Sequence, residues 1–585
     1  MKKNTFQREF KKLKSQINNI EEIVYHSKVG ALNEHETAVR KKIIDLNAMK
    51  GESLKDFDEV YGRYEELLHY ISKKLLDNYN KKNETSFKYE DVIKGNNNLL
   101  INSGILTVLI KKHIPKLVEE EFERNFPKNP KDEYKLARNI KRKFIVHLGD
   151  TNTGKTYNAM ERLKKEKSSI YLSPLRILAL ENFEMLNKEG IICDLLTGEE
   201  EVRNENATHI CCTIERADLN KEYNVAVIDE IQMIGDSQRG AAWSRAVLGL
   251  RAKEIHICGA LNAKYLIEKI LEDCEDDYEI IEYKRQIPLV VEKRNFSYKE
   301  AMNGDAIVVF SKKRVLEIAE NYSSEGVKTS IIYGDLPPEV RKKQYEQFIN
   351  NETKILVTTD AIGMGVNLPI RRIIFLNIKK FDGRDIRFLT SQEVKQIAGR
   401  AGRKGIYDYG YVSTVKDNQD FIEEKLFEED LIIKEAVIGP SEAILNIPEI
   451  PLSEKFVLWS SREEKIKYYK KMDISDYLII LEKIKRYKLS EIDQWNLLKV
   501  PFDVNKEELM ETFIFYVEQL FVEKLEEISK PQCYEGALYD LEIYYQKINM
   551  YYSFSKIFGL SYDMEWISLE RNKVSEDIND ILLRI

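Results

Sequence analysis

The residues best suited to chemistry form a glycine-rich stretch, Gly149-Asp-Thr-Asn-Thr-Gly-Lys-Thr156, which is followed by Tyr157. It matches the pattern G-x-x-x-x-G-K-[ST] and lies between an apolar run that predicts a strand and a segment of helical character. Glycines let backbone amides face phosphate oxygens, and a lysine neutralises terminal phosphates. Lys155 is therefore also a candidate catalytic residue, and Thr156 a candidate Mg²⁺ ligand. The predicted nucleotide-binding residues are Gly149, Asp150, Thr151, Asn152, Thr153, Gly154, Lys155, Thr156 and Tyr157.

Two adjacent carboxylates follow a second apolar run. Residues 225–228 read Val-Ala-Val-Ile, and Asp229-Glu230-Ile231-Gln232 comes directly after them. Open parallel sheets bind ligands at the carboxyl ends of their strands. Phosphoryl transfer needs positioning and charge neutralisation more than covalent help. We therefore predict that Asp229 holds Mg²⁺ and that Glu230 orients the attacking water.

A third group, Gln396-Ile-Ala-Gly-Arg400-Ala-Gly-Arg403, lies far downstream. Two arginines in a small, glycine-rich turn favour the binding of an anion. The turn belongs to a second α/β region without its own phosphate loop, so we predict that Arg400 and Arg403 reach across a cleft as arginine fingers. Gln396 is assigned to the same catalytic set. Such an arrangement couples hydrolysis to domain motion.

The elements that must position these residues follow from hydrophobic spacing. Short apolar runs at residues 143–148, 225–228, 306–310 and 354–357 alternate with charged stretches of helical period, which predicts an α/β fold with tandem parallel sheets. The regions before and after have helical period throughout. The predicted domains are an N-terminal helical domain (1–135), a first ATP-binding domain (136–286), a second α/β domain (287–438) and a C-terminal helical domain (439–585).

Composition narrows the class of protein. At about 150 residues per domain, 585 residues provide about four domains. The net charge of −7 argues against a surface coated with basic residues, so a polyanion must meet a local patch. Six scattered cysteines do not form a disulfide scaffold or a zinc pattern. The start of the chain lacks a secretory or transit pattern, and no apolar run is long enough to span a membrane. We expect a cytoplasmic monomer that does not associate with membranes.

Together and in this order, the motifs resemble the two-RecA-domain core of superfamily two helicases. More narrowly, they resemble the ATP-dependent RNA helicases of the mitochondrial degradosome and their bacterial relatives. The resemblance covers roughly residues 140 to 410. The segments that carry it are residues 149–157, 227–233, 332–339, 358–369, 371–375 and 396–403.

The resemblance implies the substrate and further site residues. It implies RNA as substrate, 3′-to-5′ polarity and an exoribonuclease partner. It places Asp360, Gly363 and Gly365 between the nucleotide and the strand. Loop hydroxyls and glycines at strand ends suit contacts to the nucleic-acid backbone. The implied nucleic-acid-binding residues are Pro174, Arg176, Thr197, Gly198, Thr213, Phe310, Ser311, Tyr333, Gly334, Thr358 and Thr359.

Two departures from the helicase pattern keep alternatives open. Ile397 stands where many DExH helicases have an arginine, and Ala260 stands where relatives have an acid. The alanine at position 260 supports the alternative of an ATP-dependent clamp or scaffold that binds RNA without unwinding it. A helicase acting on DNA or on hybrids is a second alternative, because the assigned contacts are to the backbone. In the C-terminal region Trp495, Tyr551 and Tyr552 are candidates for base stacking, although helical spacing favours core packing.

Overall fold

The computed structural model describes residues 2–83, 87–113, 116–364, 368–383, 385–447, 450–532 and 536–585. The N-terminal part is helical, as its apolar spacing predicts. In α3, for example, Val60, Tyr64, Leu67, Leu68 and Ile71 recur every three or four residues and are all buried. The helices are α1 (Lys2–His26), α2 (Leu32–Ala48), α3 (Phe57–Asn83), α4 (Tyr89–Ile93), α5 (Asn97–Ser103), α6 (Ile105–His113) and α7 (Lys116–Asn125).

The next region forms an α/β layer around a first sheet. Its helices are α8 (Lys135–Arg138), α9 (Lys155–Leu163), α10 (Arg176–Lys188), α11 (Gly240–Gly249) and α12 (Lys264–Asp273). Its strands are β1 (Lys143–Gly149), β2 (Ser169–Ser173), β3 (Cys193–Leu196), β4 (Glu201–Val202), β5 (His209–Thr213), β6 (Glu222–Ile228), β7 (Arg251–Gly259) and β8 (Asp277–Tyr283). The strand order is β4-β3-β5-β2-β6-β7-β1-β8. All pairs are parallel except β3 with β4.

Both faces of this sheet are buried, which explains why its strands are apolar throughout. Ala226 and Ile228 of β6 pack into one core cluster with Trp243. Val225 and Val227 point to the opposite face and pack with Met160. Alternate residues of a strand face opposite sides, so helices must cover both sides of such a strand.

A second parallel sheet follows. Its strands are β9 (Leu289–Asn295), β10 (Asp305–Val308), β11 (Thr329–Ile332), β12 (Ile355–Thr358), β13 (Arg372–Phe375) and β16 (Gly410–Thr414), in the order β11-β12-β10-β13-β16-β9. A separate hairpin is formed by β14 (Lys379–Phe381) and β15 (Ile386–Phe388). The helices of this region are α13 (Lys312–Ser324), α14 (Pro338–Ile349), α15 (Ser391–Ala398) and α16 (Gln419–Phe427).

The remaining chain is mainly helical. A short parallel pair joins β17 (Ala436–Ile438) to β18 (Tyr469–Lys471). The helices are α17 (Leu452–Ser461), α18 (Ser475–Ile484), α19 (Glu491–Leu497), α20 (Glu507–Phe521), α21 (Leu538–Phe558) and α22 (Met564–Arg584).

The chain divides into two compact units. One contains Met1–Pro127 and Pro440–Lys465, and the other contains Lys128–Gly439 and Ile466–Ile585. The second unit therefore holds both parallel sheets together with α18 to α22. The predicted fold class, two tandem parallel-sheet domains flanked by helical regions, is confirmed. The four predicted domain boundaries stay a prediction.

Candidate active site and nucleic-acid interface

The loop between β1 and α9 has the backbone shape that its glycines predict. Asn152 and Gly154 have φ values of 64° and 86°, and Gly154 immediately precedes α9. At Gly149 a side chain is excluded, because a Cβ atom would overlap the carbonyl group of Tyr283. The first amides of α9 therefore open onto the loop, an arrangement that binds anions at a helix N-terminus.

The ammonium group of Lys155 folds back onto this loop. It donates to the carbonyl of Gly149 at 2.8 Å, to the carbonyl of Asp150, and to the hydroxyl of Thr153 at 3.4 Å. Burial lowers the pKa of Lys155, and the carboxylate of Glu230 is the largest opposing influence. A lysine held by neutral carbonyls gains strong charge-assisted bonds when phosphate oxygens replace them.

Asp229, directly after β6, is fixed by three donors. Its Oδ1 accepts from the hydroxyl of Thr156 and from the amide of Glu230, both at 3.0 Å, and its Oδ2 accepts from the phenol of Tyr171 at 3.0 Å. Burial, followed by the charge of Glu230, raises the pKa of Asp229 to about 6. A carboxylate beside a hydroxyl supplies the oxygen ligands that Mg²⁺ requires, and a bound cation favours the charged carboxylate.

Glu230 is linked to the neighbouring strand through Gln232. The side-chain amide of Gln232 donates to Oε2 of Glu230, and its oxygen accepts from the amide of Ala260 at 3.0 Å. Ala260 directly follows β7, which lies beside β6 in the sheet. Glu230 itself has a φ of 51°, a costly conformation for a non-glycine residue that is frequent at functional sites. The carboxylate is thus held in one orientation.

Arg400 approaches these acids from the second sheet. Its Nε donates to the carbonyl of Gly363 at 3.1 Å, and a second N–H donates to the same oxygen. Burial lowers the pKa of Arg400, opposed first by Glu230 and then by Tyr345 and Asp229. Arg400 therefore lies close enough to Glu230 and Asp229 to interact with both carboxylates electrostatically.

The other predicted catalytic and nucleotide-linked residues lie around Arg400. Gln396 is on α15, and a Cβ at Gly363 would lie 3.4 Å from its Cγ. Arg403 is half-buried in the turn after α15. Asp360 forms an ion pair of 2.9 Å with Lys380. Gly365 lies outside the described residues.

The phosphate loop touches the turn that carries the arginines. The side-chain amide of Asn152 lies 3.4 Å from the carbonyl of Gly402. A Cβ at Gly399 would lie 2.7 Å from Cβ of Thr151, so this approach requires glycine at 399. Three motifs that are distant in the sequence thus meet in one cleft.

On the first sheet, most residues assigned to nucleic acid already have partners. The Arg176 side chain is 9% exposed and pairs with Glu199 at 2.7 Å and with Glu200 and Glu339 at 3.0 Å. The buried hydroxyl of Thr197 accepts from the amide of Glu200 at 2.9 Å. A contact between Arg176 and a nucleic acid therefore requires these ion pairs to open.

The other three residues of this group differ in exposure. Pro174 is buried, and its carbonyl accepts from Arg239 at 2.6 Å. Gly198 and Thr213 are half-buried. These two, rather than Arg176, offer accessible backbone and hydroxyl groups.

The second sheet shows the same division. Tyr333 is 1% exposed and donates to Oε1 of Glu542 at 2.5 Å. Thr358 and Thr359 are buried and Phe310 is half-buried, whereas Ser311 and Gly334 are exposed. Ser311 also caps α13 by accepting from the amide of Arg314 at 3.3 Å. All eleven assignments to nucleic acid stay predictions.

One face of α21 binds several of the residues assigned to nucleic acid, or their neighbours. Glu542, Tyr545 and Asn549 are spaced by three and four residues and share that face; we call them the α21 stripe. Glu542 accepts from Tyr333 and Lys312. The stripe's other bonds are from Arg176 to the Tyr545 hydroxyl at 3.0 Å, from Tyr545 to Glu339 at 2.6 Å and from Asn549 to Glu199 at 2.9 Å. The stripe therefore binds both parallel-sheet domains.

The aromatic candidates for stacking have packing roles. Tyr551 is buried against Trp566, with ring centroids 5.6 Å apart, and Tyr552 is buried against Tyr562 at 5.4 Å. Trp495 is half-buried, with the ammonium of Lys499 5.8 Å from its ring centroid. Tyr551 and Tyr552 therefore pack in the core of the C-terminal region, as their helical spacing indicated.

Sequence reasoning missed the contacts of Gln232 and of the α21 stripe, and those of Arg285, which donates to the carbonyls of Thr151 and Gly399. Gln232 lay inside a recognised motif, but its contact with Ala260 joins two strands and has no local signal. The stripe had a weak signal, a line of polar residues on one face of a helix. Arg285 lay in the segment between the two predicted sheets, three residues before Pro288.

A phosphate loop and an acid pair on one parallel sheet, faced by an arginine turn from a second, define the two-RecA-domain core of superfamily two. The family models agree with this class. They are the DEXQ-box helicase domain of Suv3 over residues 130–283, the helicase conserved C-terminal domain over 289–405 and the ATP-dependent RNA helicase SUV3 C-terminal domain over 538–584. The chain is a superfamily two member with a Suv3-type helicase core and a Suv3-type C-terminal domain.

Individual relatives agree with these models. The chain is 44% identical over 298 residues to the ATP-dependent RNA helicase SUV3L, mitochondrial, of Oryza sativa subsp. japonica, covering 49% of this chain and 40% of that protein. It is 42% identical over 347 residues to the ATP-dependent RNA helicase SUV3, mitochondrial, of Candida albicans, covering 58% and 47%. It is 37% identical over 409 residues to the ATP-dependent RNA helicase SUPV3L1, mitochondrial, of Gallus gallus, covering 67% and 52%. The chain spans about half the length of these curated relatives.

A solved structure, S. cerevisiae Dbp5 bound to RNA and ADP BeF3, aligns with 64% of this chain and 98% of that one, at 16% identity and a TM-score of 0.38.

The expected cytoplasmic location is wrong, because the relatives from rice, Candida albicans and chicken are all named mitochondrial. Within the described ranges no helix has both the length and the apolar character that a membrane crossing needs. The exoribonuclease partner and the monomeric state stay predictions.

Proposed function

We propose that the protein is an ATP-driven RNA helicase that separates strands as its two parallel-sheet domains open and close. The observation that carries this proposal is the meeting of three motifs in one cleft. The phosphate loop contacts the turn that carries Arg400, with Asn152 3.4 Å from the carbonyl of Gly402, and Thr156 beside Lys155 bonds to Asp229 at 3.0 Å. The names of the relatives support RNA as the substrate. The 3′-to-5′ polarity is part of the proposal.

In this proposal the cleft residues divide the work of ATP hydrolysis. Lys155 leaves the carbonyls of its own loop and neutralises the terminal phosphates, while the amides at the start of α9 bind their oxygens. Glu230, oriented by Gln232, accepts a proton from the attacking water. Arg400, joined by Arg403, neutralises charge that develops on the transferred phosphoryl group.

A magnesium ion fits the oxygen donors of this cleft. The hydroxyl of Thr156 and Oδ1 of Asp229 are already 3.0 Å apart, and both are hard oxygen ligands. They would hold the ion, which would supply charge neutralisation for the phosphate oxygens. Tyr171 and the amide of Glu230 keep the Asp229 carboxylate in place for this role.

Movement of the cleft reaches the nucleic acid through loops at the carboxyl ends of the strands. Gly198 and Thr213 on the first sheet and Ser311 and Gly334 on the second are the accessible members of the assigned set. Closing the cleft changes the distance between the two groups, and a strand held by both is advanced. Because the α21 stripe binds both domains, its hydrogen bonds must rearrange, or α21 must move with the domains, each time the cleft opens and closes.

The non-unwinding clamp is the less favoured candidate. This alternative rested on Ala260, which stands where relatives have an acidic residue that links the ATP site to the strand contacts. The backbone amide of Ala260 instead bonds to Gln232, which holds Glu230. A main-chain group thus supplies a link from the end of β7 to the proposed catalytic acid, and an acidic side chain is not required for it.

The test is displacement of a labelled strand from RNA duplexes with a 3′ or a 5′ overhang, with and without ATP. We expect ATP-dependent displacement from the 3′-overhang substrate. Glu230→Gln keeps the size of the side chain and should abolish displacement while ATP still binds. Matched DNA and hybrid duplexes decide the substrate class. ATP hydrolysis without displacement from any duplex would reject the helicase and favour the clamp.

A further inference from the structure

Arg285 lies in the short connection between the two sheets. The first sheet ends with β8 at Tyr283, and the second begins with β9 at Leu289. The matched helicase models end at residue 283 and begin at residue 289, so neither covers this connection. A linker residue that also reaches the catalytic cleft would connect domain movement directly to its chemistry.

The side chain of Arg285 reaches both walls of that cleft. Its guanidinium donates to the carbonyl of Thr151 in the phosphate loop at 3.3 Å. It also donates to the carbonyl of Gly399 at 2.7 Å and to the carbonyl of Ala401. Its Nε donates to the carbonyl of Ile287 at 2.6 Å, within the linker itself. One side chain thus joins the linker, the phosphate loop and the arginine turn.

The two carbonyls on the arginine turn flank Arg400. Gly399 and Ala401 are its immediate neighbours, and they follow the last residue of α15. Carbonyls at the end of a helix lack partners within the helix and attract cations. By binding the oxygen on each side of Arg400, the guanidinium of Arg285 fixes the backbone from which Arg400 projects.

The bonds of Arg285 favour this orienting role over a simple surface ion pair. All four side-chain bonds above go to main-chain oxygens. Burial lowers the pKa of Arg285, and the charge of Asp150 opposes the shift. The backbone amide of Arg285 lies 3.3 Å from Oδ2 of the same Asp150. A planar guanidinium can bind several carbonyls in fixed directions, which a lysine ammonium cannot reproduce.

We infer that Arg285 is a positioning residue that sets Arg400 against the phosphate loop, so that the position of the linker controls the arginine finger. The inference rests on the proposed ATP hydrolysis and deepens it. Arg285 acts through Arg400 and not on the nucleotide. Its loss should therefore reduce turnover more than it weakens ATP binding.

The test compares Arg285→Gln, Arg285→Lys, Arg400→Ala and the double variant Arg285→Gln with Arg400→Ala in RNA-stimulated ATP hydrolysis. Arg294→Gln, an exposed arginine on β9, is the matched control. We expect Arg285→Gln to lower kcat by about 10- to 100-fold with KM changed by less than about threefold. Lysine should restore part of kcat, and Arg294→Gln should behave as wild type.

The double variant distinguishes positioning from a general structural defect. If Arg285 acts through Arg400, adding Arg285→Gln to Arg400→Ala should cause little further loss, because coupled residues are not additive. An unchanged kcat for Arg285→Gln, or full additivity in the double variant, would overturn the inference. So would a loss confined to KM.

A misfolded variant and a failure of the proposed ATP hydrolysis can each be told apart from loss of the positioning role. If Arg285→Gln does not fold by circular dichroism, Arg285→Lys alone and combined with Arg400→Ala gives the same comparison. Failure of the proposed ATP hydrolysis has a different signature, because wild-type protein would then hydrolyse no ATP with RNA. Wild-type hydrolysis with an indifferent Arg285→Gln rejects only the positioning role.

Discussion

Tyr545 donates a hydrogen bond of 2.6 Å from its phenol to Oε2 of Glu339. The phenol oxygen of Tyr545 also accepts a hydrogen bond from Arg176 at 3.0 Å. Arg176 belongs to the first parallel-sheet domain and Glu339 to the second, so one hydroxyl of a C-terminal helix holds both. Tyr545 is only 3% exposed. An intramolecular hydrogen bond contributes about 1 kcal/mol, enough to bias the arrangement of the domains.

Removing that hydroxyl should weaken the coupling between hydrolysis and strand separation. In Tyr545→Phe, Arg176 and Glu339 keep their own ion pair of 3.0 Å, so we expect the fold and ATP hydrolysis to persist. Strand displacement per ATP hydrolysed should fall about three- to tenfold, the effect of about 1 kcal/mol. The two rates are measured in one reaction with a 3′-overhang RNA duplex.

Tyr539 is the matched control for this prediction. It lies on the same helix, is 45% exposed, and donates to Glu508 at 3.2 Å. Tyr539→Phe should leave the ratio of displacement to hydrolysis at the wild-type value. Equal ratios for both variants would show that the Tyr545 hydroxyl does not couple the domains.

Arg400→Ala should slow hydrolysis with ATP still bound. Arg400 lies on the domain opposite Lys155, so its loss leaves the phosphate loop intact. We expect kcat to fall on the order of 10³-fold, as for an arginine finger. The dissociation constant of a fluorescent ATP analogue should stay within about threefold of wild type. Arg314→Ala, which removes an exposed ion pair with Glu317, is the control. Wild-type turnover in Arg400→Ala would remove Arg400 from the catalytic set.

Gly399→Ala should disturb the cleft through sterics alone. The added Cβ would lie 2.7 Å from Cβ of Thr151 and 2.6 Å from the carbonyl of Lys395. Overpacking of this kind costs about 1–3 kcal/mol, so kcat/KM for ATP should fall about 5- to 100-fold. Gly62→Ala in α3, where no atom lies within 4 Å, should match wild type. An active Gly399→Ala would mean that the loop and the arginine turn need not touch.

The stability of the first sheet should depend on pH through His147. His147 is 4% exposed, and its Nε2 and Nδ1 lie 2.8 Å from Nδ1 of His256 and from the hydroxyl of Tyr283. Burial, then His256 and Lys155, lowers the pKa of His147 from 6.5 to about 4. Between these values the unfolded chain binds more protons than the folded one, so stability falls as the pH drops.

We expect this group to reduce the free energy of unfolding by ~2 kcal/mol between pH 7 and pH 5. The measurement is the urea midpoint at both pH values for wild type and for His147→Gln, which has no titrating ring and should lose less on acidification. His26→Gln, at an exposed position, should show the wild-type difference. Identical pH dependence for wild type and His147→Gln would contradict the assignment.

The sequence was informative where chemistry is local. The phosphate loop, the acid pair and the arginine turn each have their own spacing, and the parallel sheets follow from apolar runs with both faces buried. Contacts between distant residues left no comparable signal. Arg176 was assigned to nucleic acid, yet its charge is met by Glu199, Glu200, Glu339 and the hydroxyl of Tyr545, 369 positions away. The expected cellular location was corrected only by the names of the relatives.

The position of the α21 stripe within the chain has a consequence for biosynthesis. Residues 538–558 are translated after both parallel sheets are complete. Domains generally fold as units during synthesis, N-terminal first. The newly made protein therefore forms both walls of its ATP cleft before the helix that ties them together leaves the ribosome. During that interval Arg176, Lys312 and Tyr333 lack their partners on α21, and the contacts that this helix makes with both domains form late in the maturation of the polypeptide.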